Sequence, residues 1–401
     1  MAQFPVSDGE LVVGDMPLTR LAARVGSTPF YAYDRGVLQA RVQELRSALP
    51  AAVKLHYAMK ANPMPALVSF ISALVDGIDV ASVGEMKVAL DAGADPREIS
   101  FAGPGKRDAE LRQAVAAGIL VNVESRCEIA PLSAASESLG VPARVAVRVN
   151  PDFELKGAGM RMGGGAKPFG VDVEQVPALL RDISAAGLRF EGFHLFAGSQ
   201  SLKADAICEA QRKSYGLAVR LAEHSQTDVR VLNLGGGFGI PYFAGEQRLD
   251  IRPIGECLDS LARQAAHDFP AASLVLELGR YLVGEAGIYV CRVVRKKASR
   301  GQCFLIADGG LNHHLAASGN FGQVIRRNYP LAIGNRIGML ASSPVHVVGP
   351  LCTPLDILAE NVLLPDAQVG DLLVVFQSGA YGATASPQHF LNHPQVTEVL
   401  V

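Results

Sequence analysis

The chain has 401 residues and a formal charge of −2, from 37 lysines and arginines against 39 aspartates and glutamates. That near-neutral balance argues against a nucleic-acid or membrane partner, which would call for a basic patch. Apolar residues make up 49% and charged residues 19%, against about 25% charged in an average domain. The opening stretch, MAQFPVSDGELVV, has no basic start followed by an apolar core, so it reads as no secretion signal. Strand signals then begin, and eight short apolar runs follow: Lys54–Met59, Gly77–Ala81, Ile99–Ala102, Leu120–Val123, Arg144–Val149, Phe190–Phe196, Arg230–Leu234 and Ser273–Leu276. Between them, EMKVALDAG (85–93) and AELRQAVAAG (109–118) space apolar residues three and four apart and end in glycine, as amphipathic helices do.

Strand–helix alternation implies a parallel sheet. Eight such units fit a closed (β/α)8 barrel, with an open doubly wound sheet as the alternative. Gly157–Gly170 (GAGMRMGGGAKPFG) reads as a mobile loop. After about residue 285 the texture changes. IYVCRVV (288–294), CFLIAD (303–308), VHVVG (345–349) and DLLVVF (371–376) are strands with little helical pattern between them, which predicts an all-β second domain joined by ELVVGD (10–15). The predicted architecture is α/β: a TIM-like barrel over 28–276, and a β-barrel domain made of 1–27 together with 277–401. No run of about 18 uncharged apolar residues is present to span a bilayer. Six scattered cysteines with no CxxC pair suit reduced thiols in a cytoplasm. His389 and His393 stand four apart between prolines with no third ligand in view, so no metal site is expected.

In such a barrel, chemistry sits where the strands end. That edge carries Lys60, Asp79, Ser82, Asn150, Ser199, the glycines 235–237, and Glu277 with Gly279 and Arg280. Taken singly, each has a plain reading: a snorkelling lysine, a tight turn, a Glu–Arg ion pair. Taken together they suggest more. A lysine at the inner end of an apolar strand is partly desolvated, which favours the free amine and Schiff-base chemistry. LGGGFG (234–239) bares backbone N–H groups that can wrap a phosphate, although it does not fit GxGxxG. Glu277 could hold a proton on a bound pyridine nitrogen. A lysine, a phosphate cradle and an acid facing a ring nitrogen are what pyridoxal 5'-phosphate requires.

YAMKANP, GGGFG, ELGR, GPLCTPLD (349–356) and SGAYG (378–382), with TPFYAYD (28–34) and IDVASVGE (78–85), together resemble the fold-type III pyridoxal-phosphate decarboxylases. That family includes diaminopimelate and ornithine decarboxylases and has the two-domain architecture of alanine racemases. The subgroup of strongest resemblance includes decarboxylases associated with exosortase systems or acting on aminoacyl carrier proteins. The resemblance implies that Lys60 carries the Schiff base. It implies that Gly235, Gly236, Gly237, Gly279 and Arg280 line the phosphate, helped by Ser199 and Tyr381. Glu277 would face the pyridinium nitrogen, with Asp79, Glu85 and Arg148 as a polar shell below the ring. Cys352 and Asp356 would reach the active site of the partner subunit in a homodimer, with Cys352 protonating the carbanion. Arg280, Asp308, Cys352, Asp356 and Tyr381 would contact substrate.

Three departures stand out. Relatives often place a ring-stacking histidine where HLFAGSQ has Phe196, which can stack but cannot titrate. His194, two residues earlier, is expected on the other face of its strand. EPGR becomes ELGR. Diaminopimelate decarboxylases tend to have CESGD where this chain has Cys352-Thr-Pro-Leu-Asp356, so a glutamate that helps hold the substrate's far end is missing. The implied activity is decarboxylation of an α-amino acid centre. The candidate substrates are diaminopimelate, ornithine or lysine, and a glutamyl or similar group on a carrier protein. An amino-acid racemase and a non-catalytic pyridoxal-phosphate carrier are the alternatives.

Overall fold

The computed structural model describes residues 3–401 apart from Lys156 and Ala158, and excludes the side chain of Arg161. The chain divides into two compact units. One is Arg41–Ile240 with Arg248–Gly279; the other is Met1–Ala40, Pro241–Gln247 and Arg280–Val401.

The first unit is a closed parallel barrel. Its strands are β1 (Val53–Ala58), β2 (Gly77–Val80), β3 (Ile99–Phe101), β4 (Leu120–Val123), β5 (Arg144–Asn150), β6 (Arg189–Leu195), β7 (Val231–Gly236) and β8 (Ser273–Leu278). Each pairs in parallel with the next, β8 pairs with β1, and the β4–β5 pairing completes the ring. These segments are almost wholly buried. That is why they read as continuous apolar runs and not as alternating ones. The helices between them obey local rules. Asp108–Ala117 ends at Gly118, whose φ of 73° lets its N–H turn back to the Ala114 carbonyl. Val83–Asp91 begins at Ser82, whose side chain accepts the Glu85 N–H, while Glu85 Oε2 accepts the Ala81 N–H at 2.7 Å.

One irregularity in the ring bears on the site. β6 shifts register against β5 between Phe190 and Gly192. A Cβ on Gly192, whose φ is +151°, would sit 1.8 Å from the Val231 carbonyl oxygen. Only glycine permits that approach, and the shift leaves His194 level with Arg148 on β5 and Asn233 on β7. The expected loop at Gly157–Gly170 includes Ala158, which lies outside the described residues. Within the stretch, Met160–Arg161 pairs antiparallel with Gly198–Ser199.

The second unit is mostly β. Its main sheet runs through Leu331–Ile333, Leu372–Val375, Gly287–Ser299, Gln302–Ala307, Ser343–Val348 and Ile357–Leu364, and Phe30–Tyr33 and Thr397–Leu400 join it. Phe30–Tyr33 falls inside the range predicted for the barrel, yet it pairs antiparallel with Gly287–Val290. Four consecutive buried residues read like a barrel strand; the partner that decides the matter lies over 250 positions downstream. The N-terminal strand Glu10–Val13 and helix Leu18–Val25 contribute Leu11, Val13, Leu18 and Leu21 to a core shared with Phe30, Ile288 and Val374. Burying each such side chain is worth about 1.5–3 kcal/mol.

His314 lies fully inside this unit, ringed by Tyr31, Tyr289 and Tyr329. Its Nδ1 accepts the Ala317 N–H at 3.2 Å, and its Nε2 lies 2.9 Å from Ser378 Oγ. That network selects the neutral Nε2–H form. Burial pushes its pKa down to about 3. Its contribution is therefore complete above the unfolded value of about 6.5 and is lost as pH falls toward 3. Urea unfolding of the wild type should show stability dropping across that window, and His314→Gln should flatten the slope.

Candidate active site

β1 ends at Ala58 and runs into a single tight turn, Met59–Ala61, which lifts Lys60 out of the strand at its C-terminal end. The Lys60 side chain is 41% exposed, and its Nζ lies 3.6 Å from Oε1 of the buried Glu277. The same nitrogen is 5.3 Å from the centre of the Phe196 ring. Glu277 is set in β8 opposite His56 of β1. Its other oxygen, Oε2, accepts a hydrogen bond from His194 Nε2 at 3.0 Å. Burial alone would raise the Glu277 pKa, but Lys60, His194 and Arg148 outweigh it and hold the carboxyl well below the usual range. Glu277 is thus an ionised carboxylate next to a primary amine.

His194 therefore does not point away from the site, as expected from sequence. Residues two apart on a strand share a face, so the position before Phe196 that matters is His194, and its ring centre is 6.5 Å from that of Phe196.

Asp79, at the end of β2, receives Ser100 Oγ at 2.5 Å and His56 Nδ1 at 3.2 Å on the same oxygen. Asn122 donates in turn to Ser100 Oγ at 3.2 Å. This belt of polar groups crosses β1, β2, β3 and β4. Burial would lower the His56 pKa, but Asp79, Glu98 and Glu277 more than compensate and raise it. Lys54, two residues before His56 on β1, is tied to Glu98 at 2.6 Å.

Arg148, on β5, forms a buried pair with Glu124, Nη1 to Oε1 at 2.9 Å. Glu124 also accepts the Gly103 N–H at 2.5 Å and the Gly170 N–H at 3.1 Å. Beside it, Lys106, only 1% exposed, contacts Glu128 at 2.9 Å. Two cations and two anions balance here. Burial raises Glu124, but Arg148 and Lys106 overcome it, so its pKa is lowered. Glu85 differs: burial raises its pKa against the Ala81 N–H and the Lys60 charge, and its carboxylate caps a helix.

The glycine run at the end of β7 is sterically obligatory. A Cβ on Gly235 would lie 2.7 Å from the Leu195 oxygen, on Gly236 2.2 Å from the Glu277 oxygen, and on Gly237 2.6 Å from the Gly198 oxygen. Gly235 and Gly237 have φ of +69° and +80°. Ser199 lies in the neighbouring segment, and Gly279 packs with its Cα side against Ala58 O, 2.9 Å from an added Cβ.

In the second unit, the half-buried Arg280 has its guanidinium between the rings of Tyr381 (4.6 Å) and Tyr242 (5.4 Å). Its Nη1 donates to Tyr242 Oη at 2.7 Å, while its buried Nε has no partner among the described residues. Asp308 accepts the Arg292 N–H at 2.7 Å and the Thr28 hydroxyl. Asp356 is buried, and its two oxygens accept the Leu311 and Leu351 N–H groups at 2.6 and 2.8 Å. Asp356 is thus committed to backbone N–H groups, and Asp308 to one backbone N–H and one hydroxyl. Cys352 is exposed on the loop that Asp356 anchors. Among the described residues no group of three His, Cys, Asp or Glu side chains is arranged to hold a metal, and no helix is long and apolar enough to cross a membrane.

The barrel unit brings Lys60, Asp79, Arg148, Phe196, Ser199, Gly235, Gly236, Gly237, Glu277 and Gly279 onto one end. The donor set fits pyridoxal phosphate: an amine for its aldehyde, an ionised acid for its ring nitrogen, and glycines for its phosphate. Two buried atoms, Asp79 Oδ2 and His194 Nδ1, have no hydrogen-bond partner among the described residues. The sequence reading does not single out His56 or Glu124, and it places His194 on the wrong face. The available signal was a polar residue inside an otherwise apolar strand, which must be paired once buried.

The Glu124–Arg148 pair can be tested through stability. Glu124→Gln leaves a guanidinium buried without its counter-ion and should destabilise the barrel by about 3–5 kcal/mol in urea unfolding. Glu124→Gln with Arg148→Met should be milder than the sum of the single changes.

Residues 35–284 match the model of the pyridoxal-dependent decarboxylase family, pyridoxal binding domain. Over 389 residues the chain is 38% identical to the L-glutamyl-[BtrI acyl-carrier protein] decarboxylase of Niallia circulans, covering 96% of this chain and 90% of that one. It is 34% identical over 397 residues to the diaminopimelate decarboxylase of Aquifex aeolicus, covering 98% and 91%. The crystal structure of diaminopimelate decarboxylase from Helicobacter pylori complexed with L-lysine matches with a TM-score of 0.85 at 27% identity, over 96% of this chain and 94% of that one. The chain belongs to the pyridoxal-dependent decarboxylases: an enzyme that removes CO2 from an amino-acid centre with pyridoxal phosphate as its cofactor.

Proposed function

We propose that the substrate is an L-glutamyl or similar aminoacyl group carried on an acyl-carrier protein, and not free diaminopimelate. One observation carries this reading. The loop Gly349–Asp356 holds a single acid, Asp356, and both its oxygens are taken by the Leu311 and Leu351 N–H groups. A substrate with a second, cationic end would find no free carboxylate on this loop. A thioester-linked glutamyl group has no such charge to satisfy. The identity of 38% to a glutamyl-carrier decarboxylase supports the same choice.

Pyridoxal phosphate, when bound, supplies an aldehyde that condenses with amines and a ring that accepts the electron pair left by departing CO2. The chain's own residues do the rest. Lys60 provides the amine that holds the cofactor and that the substrate's amine displaces. Glu277, kept ionised by Lys60, His194 and Arg148, favours a proton on the ring nitrogen. His194 Nε2 holds Glu277 Oε2 in place, much as an outer partner orients a catalytic group. Phe196 offers an apolar face at the Lys60 amine. Asp79 and Arg148 supply the polar floor. Gly235, Gly236, Gly237, Gly279 and Ser199 hold the phosphate. In this reading two copies of the chain build each site in the cytoplasm, and the partner's Cys352 delivers a proton to the substrate's α-carbon.

Two measurements test it. Lys60→Ala should abolish the visible absorption of the bound cofactor and cut turnover by more than about a thousandfold; a variant that keeps both overturns the assignment. In a panel scored for CO2 release, kcat/KM for an L-glutamyl-loaded carrier protein should exceed that for meso-diaminopimelate, ornithine or lysine by at least about a hundredfold. Equal or faster turnover of diaminopimelate would return the enzyme to that substrate.

A further inference from the structure

The glycine run does not hold its own shape. Gly235 is fixed by its N–H to Asn233 Oδ1 at 2.8 Å, but the part beyond it is fixed by a second loop. Ser201 donates its N–H to the Gly237 oxygen at 2.9 Å, and Gly239 donates to the Ser201 oxygen at 2.8 Å. The Gln200 side chain completes the junction. Its Nε2 donates to the Ile240 oxygen at 2.7 Å, and its Oε1 accepts the Ile240 N–H at 3.2 Å. One primary amide thus pairs with both polar groups of one backbone residue, as a neighbouring strand would.

The geometry around it is built for this contact. Gln200 takes a left-handed φ of 63°, a conformation that costs a non-glycine residue free energy and is kept where the surroundings demand it. A Cβ on Gly239 would lie 2.9 Å from the Ser201 oxygen and 3.1 Å from Gln200 Oε1. Gly159 approaches from the other side, its added Cβ 3.1 Å from Gln200 Cβ. The Gln200 side chain thus packs against Gly159 and Gly239, and its amide is positioned by the Ile240 backbone.

We propose that Gln200 is a positioning residue for the cofactor's phosphate: its side-chain amide clamps Ile240 and so fixes the curve of Gly235–Gly239 that presents backbone N–H groups to the anion. Gln200 does not itself touch the cofactor. It sets the loop, and the loop binds. This rests on the assignment of the glycine run to the phosphate, and the two can fail separately.

The experiment uses full-length enzyme stripped of cofactor and titrated with pyridoxal phosphate and, in parallel, with pyridoxal, which lacks the phosphate. Gln200→Glu keeps the size and the acceptor but loses the N–H that meets the Ile240 oxygen; Gln200→Ala removes both bonds. Each should weaken pyridoxal phosphate binding by about tenfold, the effect of one or two net hydrogen bonds, while pyridoxal binding changes by less than about twofold. Gln200→Asn, too short to reach, should behave like alanine despite its amide. Unchanged pyridoxal phosphate affinity in all three variants overturns the proposal, and so does an equal loss for both ligands, including a loss through misfolding seen as a lowered melting temperature. If the wild type binds the two ligands equally well, the glycine run is not the phosphate site and the underlying assignment fails instead.

Discussion

The barrel's chemistry depends on keeping one carboxylate charged where water does not reach. Glu277 is buried, and burial on its own would favour the neutral acid. Lys60 on one oxygen and His194 on the other reverse that preference. The amine and the acid are thereby made interdependent. The acid is held ionised by the amine, and the amine is held near it by a turn that begins where β1 stops. A protein that lost the amine would leave the buried acid short of a counter-charge.

The same principle recurs around the ring. Asp79 is balanced by His56 and hydroxyl donors, and Glu124 by Arg148 and Lys106. Each acid lies at or near the end of a strand and meets a partner from a neighbouring strand. Parallel pairing makes this possible, because it brings all eight C-terminal strand ends to one rim. The glycines complete the arrangement. At Gly192, Gly236 and Gly237 a methyl group would collide with a carbonyl oxygen of a neighbouring segment, so close backbone approach fixes the spacing that the side chains then use.

The eight barrel strands were legible because burial on both faces leaves an uninterrupted apolar run in the sequence, and each run agrees with its strand to within about two residues. Lys60, Glu277 and the glycines were legible because each ends such a run. What was not legible depends on partners distant in the chain. Phe30–Tyr33 looks like a barrel strand until Gly287–Val290 is found beside it. Asp356 looks like a free acid until the Leu311 and Leu351 N–H groups are seen on it. Gln200 looks like an ordinary residue after a serine, since nothing local says that its amide meets Ile240. His194 is a different case. Strand alternation alone puts it on the face of Phe196, and the expectation misapplied that rule.

The pairing of Phe30–Tyr33 with Gly287–Val290, and of Thr397–Leu400 with Phe30–Tyr33, also sets an order of events on the ribosome. The earliest strand of that sheet leaves the exit tunnel with neither neighbour yet made. All eight strands of the barrel are translated in the interval, and their contacts are mostly between successive segments, which close at low entropic loss. The barrel can therefore fold during synthesis while Phe30–Tyr33 waits, its apolar side chains uncovered until Gly287–Val290 and Thr397–Leu400 have been made.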